Sequence, residues 1–463
     1  MHRRLVIPAL AALQILMPAL ADDGHPAYQL MRYDEDWSPL ADSSRRSERL
    51  DSLKYISLGP PGWYVTIGGE IREKFELLDQ PAFGVGPVDQ NGYLLQRYLL
   101  SSDFHFGSRF RFFTELQSGL EDGRNGGARP TDLDRLDLHQ AFLDWRISGT
   151  ESQGIMLRVG RQEVMFGSGR LIAPAEGLNL RRSMDGARIN IKKGRIDYNA
   201  AALRLVLSKP GIFDNVPDHT QTFWGTGFIM PRPFWRVANI GVYYLGFDNR
   251  NSVFAKGVGH EVRQSFGAHI WKHTGPWDYD DEGVFQTGSF RGAPIRAWAL
   301  SEDGGYTFMH WRWQPRFGFR SDATSGDQGP THRTLGSFDP LFSAVPVWSG
   351  PSALLGGINL VDATPSIRLR FKPSVTLTLE SSAFWRESRF DAVYTAFNTP
   401  LRRANPDASR YLATAPSATV AWQATRHTFY SIIYTHFFTG DFFNAALPNK
   451  NVNYVAGWVS YRF

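Results

Sequence analysis

The chain has no cysteine, which excludes disulfide staples, thiolate nucleophiles and the cysteine-rich sites that hold structural zinc. Beyond the N-terminal stretch it also lacks any run approaching the ~18 apolar residues of a membrane-spanning helix. Charge of one sign is barely in excess: 50 Lys and Arg stand against 45 Asp and Glu, a net +5 over 463 residues. Nucleic-acid-binding proteins concentrate basic residues on one surface, and so weak a balance gives no ground for such a partner. Long-period repeats and low-complexity tracts are missing as well. A hydrophobic fraction of 42% would suit a soluble protein. A β-barrel passes the same test, because only alternate residues of its strands meet lipid.

What is present points to the barrel. Aromatic residues make up 14% of the chain, with 33 Phe and 14 Trp, enough to supply girdles at two membrane interfaces. The last ten residues alternate, with Val455, Val459, Tyr461 and Phe463 on one face and Ser460 and Arg462 on the other. A strand ending on a terminal Phe resembles the last strand of Gram-negative outer-membrane barrels, which the barrel assembly machinery reads. At the other end, Arg3 and Arg4 precede an apolar core from Leu5 to Pro18 and a small-residue site at Ala19-Leu20-Ala21. Residues 1–21 therefore read as a secretory signal. Its removal takes two cations with it and leaves a net charge of +3, from 48 basic and 45 acidic residues.

Turn chemistry punctuates the rest. Gly107-Ser108, Lys193-Gly194, Pro231-Arg232-Pro233, Thr274-Gly275, Lys372-Pro373 and Thr425-Arg426 read as short connections. Longer polar connections are expected near 79–91, 120–131, 165–183, 208–218, 249–261, 321–363, 388–408 and 440–451. The two kinds take turns, as tight periplasmic turns and large extracellular loops do in outer-membrane barrels. The expected fold is all-β: a transmembrane antiparallel barrel of about 18 strands over 62–463. Residues 22–61, which include the acidic Asp34-Glu35-Asp36, are expected to form a periplasmic N-terminal arm or plug.

Charge alternates in phase with the apolar residues. Arg109, Arg111 and Glu115 oppose Phe110, Phe112 and Leu116; Arg368, Arg370 and Lys372 oppose Ile367, Leu369 and Phe371. Arg312, Arg316 and Arg320 oppose Trp311, Trp313, Phe317 and Phe319. Glu70, Arg72 and Lys74 share a face, as do Arg188, Asn190 and Lys192. A cation on the lipid face at the bilayer midplane costs about 2–4 kcal/mol, so these faces are expected to line the lumen. Arg135 and Arg158 join the expected pore lining, with Glu70, Asp103, Glu115, Asp137 and Glu380 as its acids. Such residues can be simple Arg–acid ladders filling a polar interior. An excess of fixed positive charge in a narrow pore would instead select anions. One stretch breaks phase: Arg135, Asp137 and His139 alternate inward, yet Asp144 and Arg146 fall opposite, which a bulge or a strand end would explain.

Chemistry beyond conduction finds little support. Gly167-Ser168-Gly169 lacks the spacing and context of a nucleophile elbow, even with His105 or His139 as a possible base, so no catalytic residue is expected. Asp278, Asp280, Asp281 and Glu282 could bind calcium at a strand end or simply be solvated. His269 and His273 have helical metal-site spacing in a strand context. No metal and no cofactor are expected.

Several blocks together resemble the outer-membrane alginate export porins. They run from Asp51-Ser52-Leu53-Lys54-Tyr55-Ile56 and Gly68-Gly69-Glu70-Ile71-Arg72 through Ser118-Gly119-Leu120-Glu121-Asp122-Gly123-Arg124 and Val159-Gly160-Arg161-Gln162-Glu163. Gly167-Ser168-Gly169-Arg170, Arg181-Arg182-Ser183-Met184-Asp185-Gly186 and Phe338-Asp339-Pro340-Leu341-Phe342 follow in order. The resemblance implies an 18-stranded monomeric barrel that secretes a polyanion through a basic constriction. It carries an Arg-lined pore onto the matching Arg72, Arg97, Arg161, Arg170 and Arg188. The implied partners are an anionic polysaccharide, outer-membrane lipid and the assembly machinery, with periplasmic export components as a further expectation. The alternative is an uptake porin for small carboxylates or sugar acids. Segment 321–363 is expected either to constrict the pore or to be a solvated outer loop.

Overall fold

The computed structural model describes residues 25–231, 238–329, 331–344 and 347–463. The secretory signal and most of the Pro231-Arg232-Pro233 turn lie outside them. Eighteen antiparallel strands close into one barrel. They are β1 Trp63–Leu78, β2 Tyr93–Phe106, β3 Phe110–Asp122, β4 Asp134–Gly149, β5 Gly154–Gln162 and β6 Met184–Lys193. Next come β7 Ile196–Leu207, β8 Gln221–Met230, β9 Asn239–Phe254, β10 Gly257–Lys272, β11 Trp277–Phe290 and β12 Ala293–Thr307. The last third is β13 Arg316–Thr324, β14 Leu360–Lys372, β15 Val375–Arg386, β16 Tyr411–Gln423, β17 Thr428–Thr439 and β18 Val452–Arg462. Each pairs with its sequence neighbours, and β18 returns to β1 in register from Glu70↔Arg462 to Leu78↔Tyr454. Closure removes the sheet edge that an open structure would leave unpaired.

Alternation sets the two faces. Along β1, Glu70, Arg72, Lys74 and Glu76 are buried while Ile71 and Phe75 are exposed. The same phase leaves Phe112, Leu143, Val159, Phe285, Leu300 and Ile432 on the outside, an apolar belt suited to lipid. The broken phase in β4 comes from bulges. Glu115 pairs with Gln140 but Leu116 pairs with Leu138, so His139 has no partner across the ladder. A second shift lies between Gln117↔Asp137 and Gly119↔Asp134. The extra residues re-aim the chain, so that Asp144 is buried inside and Arg135 is exposed outside.

The connections differ from expectation in two places. The long loop expected at 249–261 is a hairpin: β9 and β10 pair as far as Phe254↔Gly257. Its Asn and Gly residues mimic loop composition because these strands run on into water. Conversely, Trp311 and Trp313, expected within a strand, lie in the periplasmic turn between β12 and β13.

Three parts of the chain fold into the barrel. Residues 163–183 turn inward after β5, and 325–359 turn inward after β13. The two meet through the parallel bridge Ile172↔Phe342 and the bonds Ala173 N–H to Phe342 O (3.0 Å) and Phe342 N–H to Leu171 O (2.8 Å). Ile172, Phe338, Trp348 and Leu355 join Phe83, Phe384, Phe437 and Phe443 in one buried apolar cluster at the outer ends of the strands. The described residues of 325–359 thus pack largely inside the outer half of the barrel, and the segment is not simply a solvated loop. From the periplasmic side the N-terminal arm inserts Tyr33 between Phe113 and Phe142, ring centroids 6.0 and 5.4 Å away.

Candidate functional site: the barrel lumen

Most of the inward cations have partners. On β1 and β2, Arg72 donates to the carbonyls of Glu176 (3.0 Å) and Leu178 (2.5 Å), and Lys74 to that of Gly177 (3.3 Å). Arg97 pairs with Glu70 and with the Glu176 carboxylate, each at 2.5 Å, and Arg462 closes on Glu70 at 2.7 Å. These side chains tether the inward loop 163–183 to the wall. Burial alone would raise the Glu176 carboxyl, but Arg97 and Arg181 override it and hold the group below its ordinary value. Arg170, on the same loop, spans to Asp280 (3.2 Å) and Asp322 (3.6 Å) across the lumen. Arg182 donates to the carbonyls of Phe342, Ser343 and Ala173, which joins the two loops. Burial brings its guanidinium down to about 10.

Nearer the periplasm, Arg111 grips Asp103 with two bonds of 2.7 and 2.6 Å. Arg158 grips Asp144 at 2.7 and 2.9 Å and stacks on Phe142 and Tyr33, 3.8 and 4.1 Å from their ring centroids. Arg316 pairs with Asp278 (2.5 Å) and Asp303 (3.2 Å). Four expected lining residues are different. Arg188 donates to the neutral Asn199 amide oxygen at 2.7 Å, and Arg370 to Gln314 at 3.4 Å. Lys192 has Asp197 only at 4.0 Å. Among the described residues, Arg188, Arg368 and Arg370 have no carboxylate within 4 Å. Arg188 and Lys192 lie on β6, and Arg368 and Arg370 on β14. These strands are eight apart in a ring of eighteen, almost opposite each other.

The arm adds an internal anion. Arg111 donates to the Tyr33 carbonyl at 2.5 Å, which fixes Asp34 next to this basic wall. The Asp34 side chain meets lumen water yet is enclosed by the barrel. That enclosure raises its carboxyl against the pull of Arg158, Arg188, Arg111 and Lys192.

Four expected lining residues lie elsewhere. Arg109 and Arg312 are exposed in periplasmic turns, because the strands begin one and four residues later. Arg135 is turned outward by the second bulge of β4. Arg161 alternates with the inward Arg158 and so falls on the outer face, paired with Asp185 at 2.8 Å. Of the acids, Glu70, Asp103 and Glu115 are buried inside. Asp137 lies against Arg161 (3.7 Å) and accepts from the Asn215 N–H of an outer loop (2.9 Å). The acidic run at 278–282 does not form one cluster: Asp280 is buried and receives Arg170, His269 and His273, Asp278 pairs with Arg316, and Asp281 is partly exposed. Alternation carried no signal for Arg181, Arg182, Glu163, Glu176 and Asp34, because they sit on irregular backbone.

The alginate export family model matches residues 63–456. No curated protein matches the sequence. The fold is similar to that of a BenF-like porin from Pseudomonas fluorescens Pf-5 (12% identity, 86% of this chain and 98% of that one, TM-score 0.58). It is also similar to Acinetobacter baumannii OccAB1 (11% identity, 90% and 99%, TM-score 0.61). Pseudomonas aeruginosa OpdK, solved with vanillate, shares 10% identity over 86% of this chain and 98% of that one, with a TM-score of 0.55.

Proposed function

The chain belongs to the alginate export family, as an outer-membrane barrel of the porin type, and from that premise we propose that it passively conducts an alginate-like polyuronate out of the periplasm. The observation that carries this reading is the set of lumen cations with no carboxylate within 4 Å among the described residues, Arg188, Arg368 and Arg370, joined by Lys192 with its loose 4.0 Å partner Asp197, toward the periplasmic end of two opposing walls. A polyuronate presents one carboxylate per sugar, and guanidinium groups bind carboxylates bidentately. A few such groups spread over separate strands offer weak, exchangeable sites, so a polymer can advance without sticking. The paired cations, by contrast, hold loops and strands in place and leave the field of the mouth to these four.

On this reading the barrel works as a monomer, in contact with outer-membrane lipid and delivered there by the barrel assembly machinery. Periplasmic export components would meet it at its basic mouth. The inward packing of 163–183 and 325–359 favours a second reading, uptake of small carboxylates, since it narrows the outer half of the lumen. OpdK, a similar barrel solved with vanillate, supports that alternative. Reversal potentials in a planar bilayer test both readings: each requires anion selectivity, and each fails if the channel prefers cations.

A further inference from the structure

Three ligand-capable side chains converge in the wall at the root of the inward loop. Glu115 on β3, His139 at the β4 bulge and Glu163, the first residue after β5, are all buried. Their donor atoms lie within 4.8 Å of one another. His139 Nε2 is 2.8 Å from Glu163 Oε1. Glu115 is 1% exposed, and its Oε2 is buried without a hydrogen-bond partner. We propose that Glu115, His139 and Glu163 form a site for a divalent transition-metal ion, of which zinc is the representative.

The donor set fits that chemistry. One imidazole and two carboxylates suit zinc and its first-row neighbours, with bonds of about 2.0–2.2 Å. A tetrahedral ion at that radius needs its ligand atoms about 3.4 Å apart, so the three have only small movements to make. The bulge is what brings His139 into the group, because an extra residue in the ladder re-aims a side chain.

The partners around the cluster are those of a held site. Gln140 donates to Glu115 Oε1 at 2.9 Å and accepts from the Glu163 backbone N–H at 3.0 Å, which orients the Glu115 carboxylate and fixes the main chain that carries Glu163. Arg181 lies against both Glu163 oxygens, Oε2 at 2.7 Å and Oε1 at 2.5 Å, and also serves Glu176 at 2.9 Å. One guanidinium shared in this way leaves the Glu115–Glu163 pair short of positive charge, which a bound cation supplies. The ion would join β3 and β4 to the start of the loop that enters the lumen. This inference does not depend on the transported substrate.

The test is titration of the purified, metal-stripped barrel with zinc chloride, read by calorimetry. His25→Ala serves as the background, because His25, Glu48 and Asp51 form a second His–carboxylate group near the periplasmic end. The expected result is one zinc per chain, with affinity lowered more than ~100-fold by Glu115→Gln or His139→Gln. Gln140→Leu, which removes only an orienting partner, should lower it ~10–100-fold. Heat-modifiable mobility on gels verifies that each variant is a folded barrel. Absence of saturable binding in the background protein would overturn the proposal, as would folded Glu115→Gln and His139→Gln variants that bind like it.

Discussion

Arg158 and Arg188 are directly opposite each other across the β5–β6 ladder, yet only Arg158 has a carboxylate, Asp144 at 2.7 Å. Arg188 reaches no further than the Asn199 amide. Two like charges on facing positions destabilise a sheet unless something offsets them, and Asp144 does so for one of the pair. The remaining charge belongs to the lumen.

Charge reversal should therefore separate the two residues. Arg188→Glu combined with Arg368→Glu and Arg370→Glu is expected to move the reversal potential under a salt gradient from anion toward cation selectivity. Arg158→Ala strips the buried Asp144 of its two close bonds and leaves it only Arg111 at 3.9 Å, a cost of up to about 3–5 kcal/mol. It should lower the unfolding temperature and the anion selectivity together.

Asp34 stands where an incoming carboxylate would bind. Asp34→Asn is expected to tighten block by small uronates several-fold at neutral pH. Enclosure raises the Asp34 carboxyl above its ordinary range, so the wild-type group takes up its proton at a higher pH than a free carboxyl. Block should then strengthen on mild acidification in the wild type and stay flat in Asp34→Asn.

Lys54 gives the arm a pH dependence of its own. It is buried beside Tyr28, Trp37 and Phe463 and donates to the Ile67 carbonyl at 2.9 Å. Burial, reinforced by Arg32, brings its amine down to about 7, against about 10.4 in the unfolded chain. Between these values the undocked arm binds more protons than the docked one, so docking strengthens as pH rises from about 7 to about 10. Protease resistance of residues 25–62 should increase over that window, and Lys54→Met should abolish the trend.

The Glu176 carboxylate ties the inward loop to Arg97 on β2 and braces the loop internally through Arg181. Glu176→Ala removes one of two carboxylates from each guanidinium, leaving Glu70 and Glu163, a loss of a few kcal/mol. It is expected to loosen 163–183 against the β1–β2 wall, where the bonds from Arg72 and Lys74 to backbone carbonyls remain. Single-channel conductance should rise and fluctuate more than in the wild type. An unchanged conductance would mean that the loop does not constrict the pore.

The barrel itself was legible in the sequence, because period-two alternation and turn chemistry are local. Glu70, Arg72, Lys74, Arg111 and Arg188 were placed inside on that basis. Arg135 and Arg161 were misplaced. A bulge shifts the phase of β4, and Arg161 took its inward place from family resemblance against the alternation of β5. Arg109 and Arg312 failed because strand ends are set by the membrane boundary and the turn. The largest gap was the plugging of the lumen. Segment 165–183 read as a polar connection and 321–363 as either a constriction or a solvated loop, and the inward packing follows from long-range contacts such as Ile172 with Phe342. Which cations stay unpaired depends on the same long-range geometry.

Length-dependent block tests most directly whether the basic mouth receives a polyanion. Oligouronates of increasing length are added from the periplasmic side to single channels in a planar bilayer. The account predicts an anion-selective channel whose block strengthens with oligomer length and is lost when Arg188, Arg368 and Arg370 are replaced by Glu. A cation-selective channel, or block independent of length and of those three residues, would contradict it.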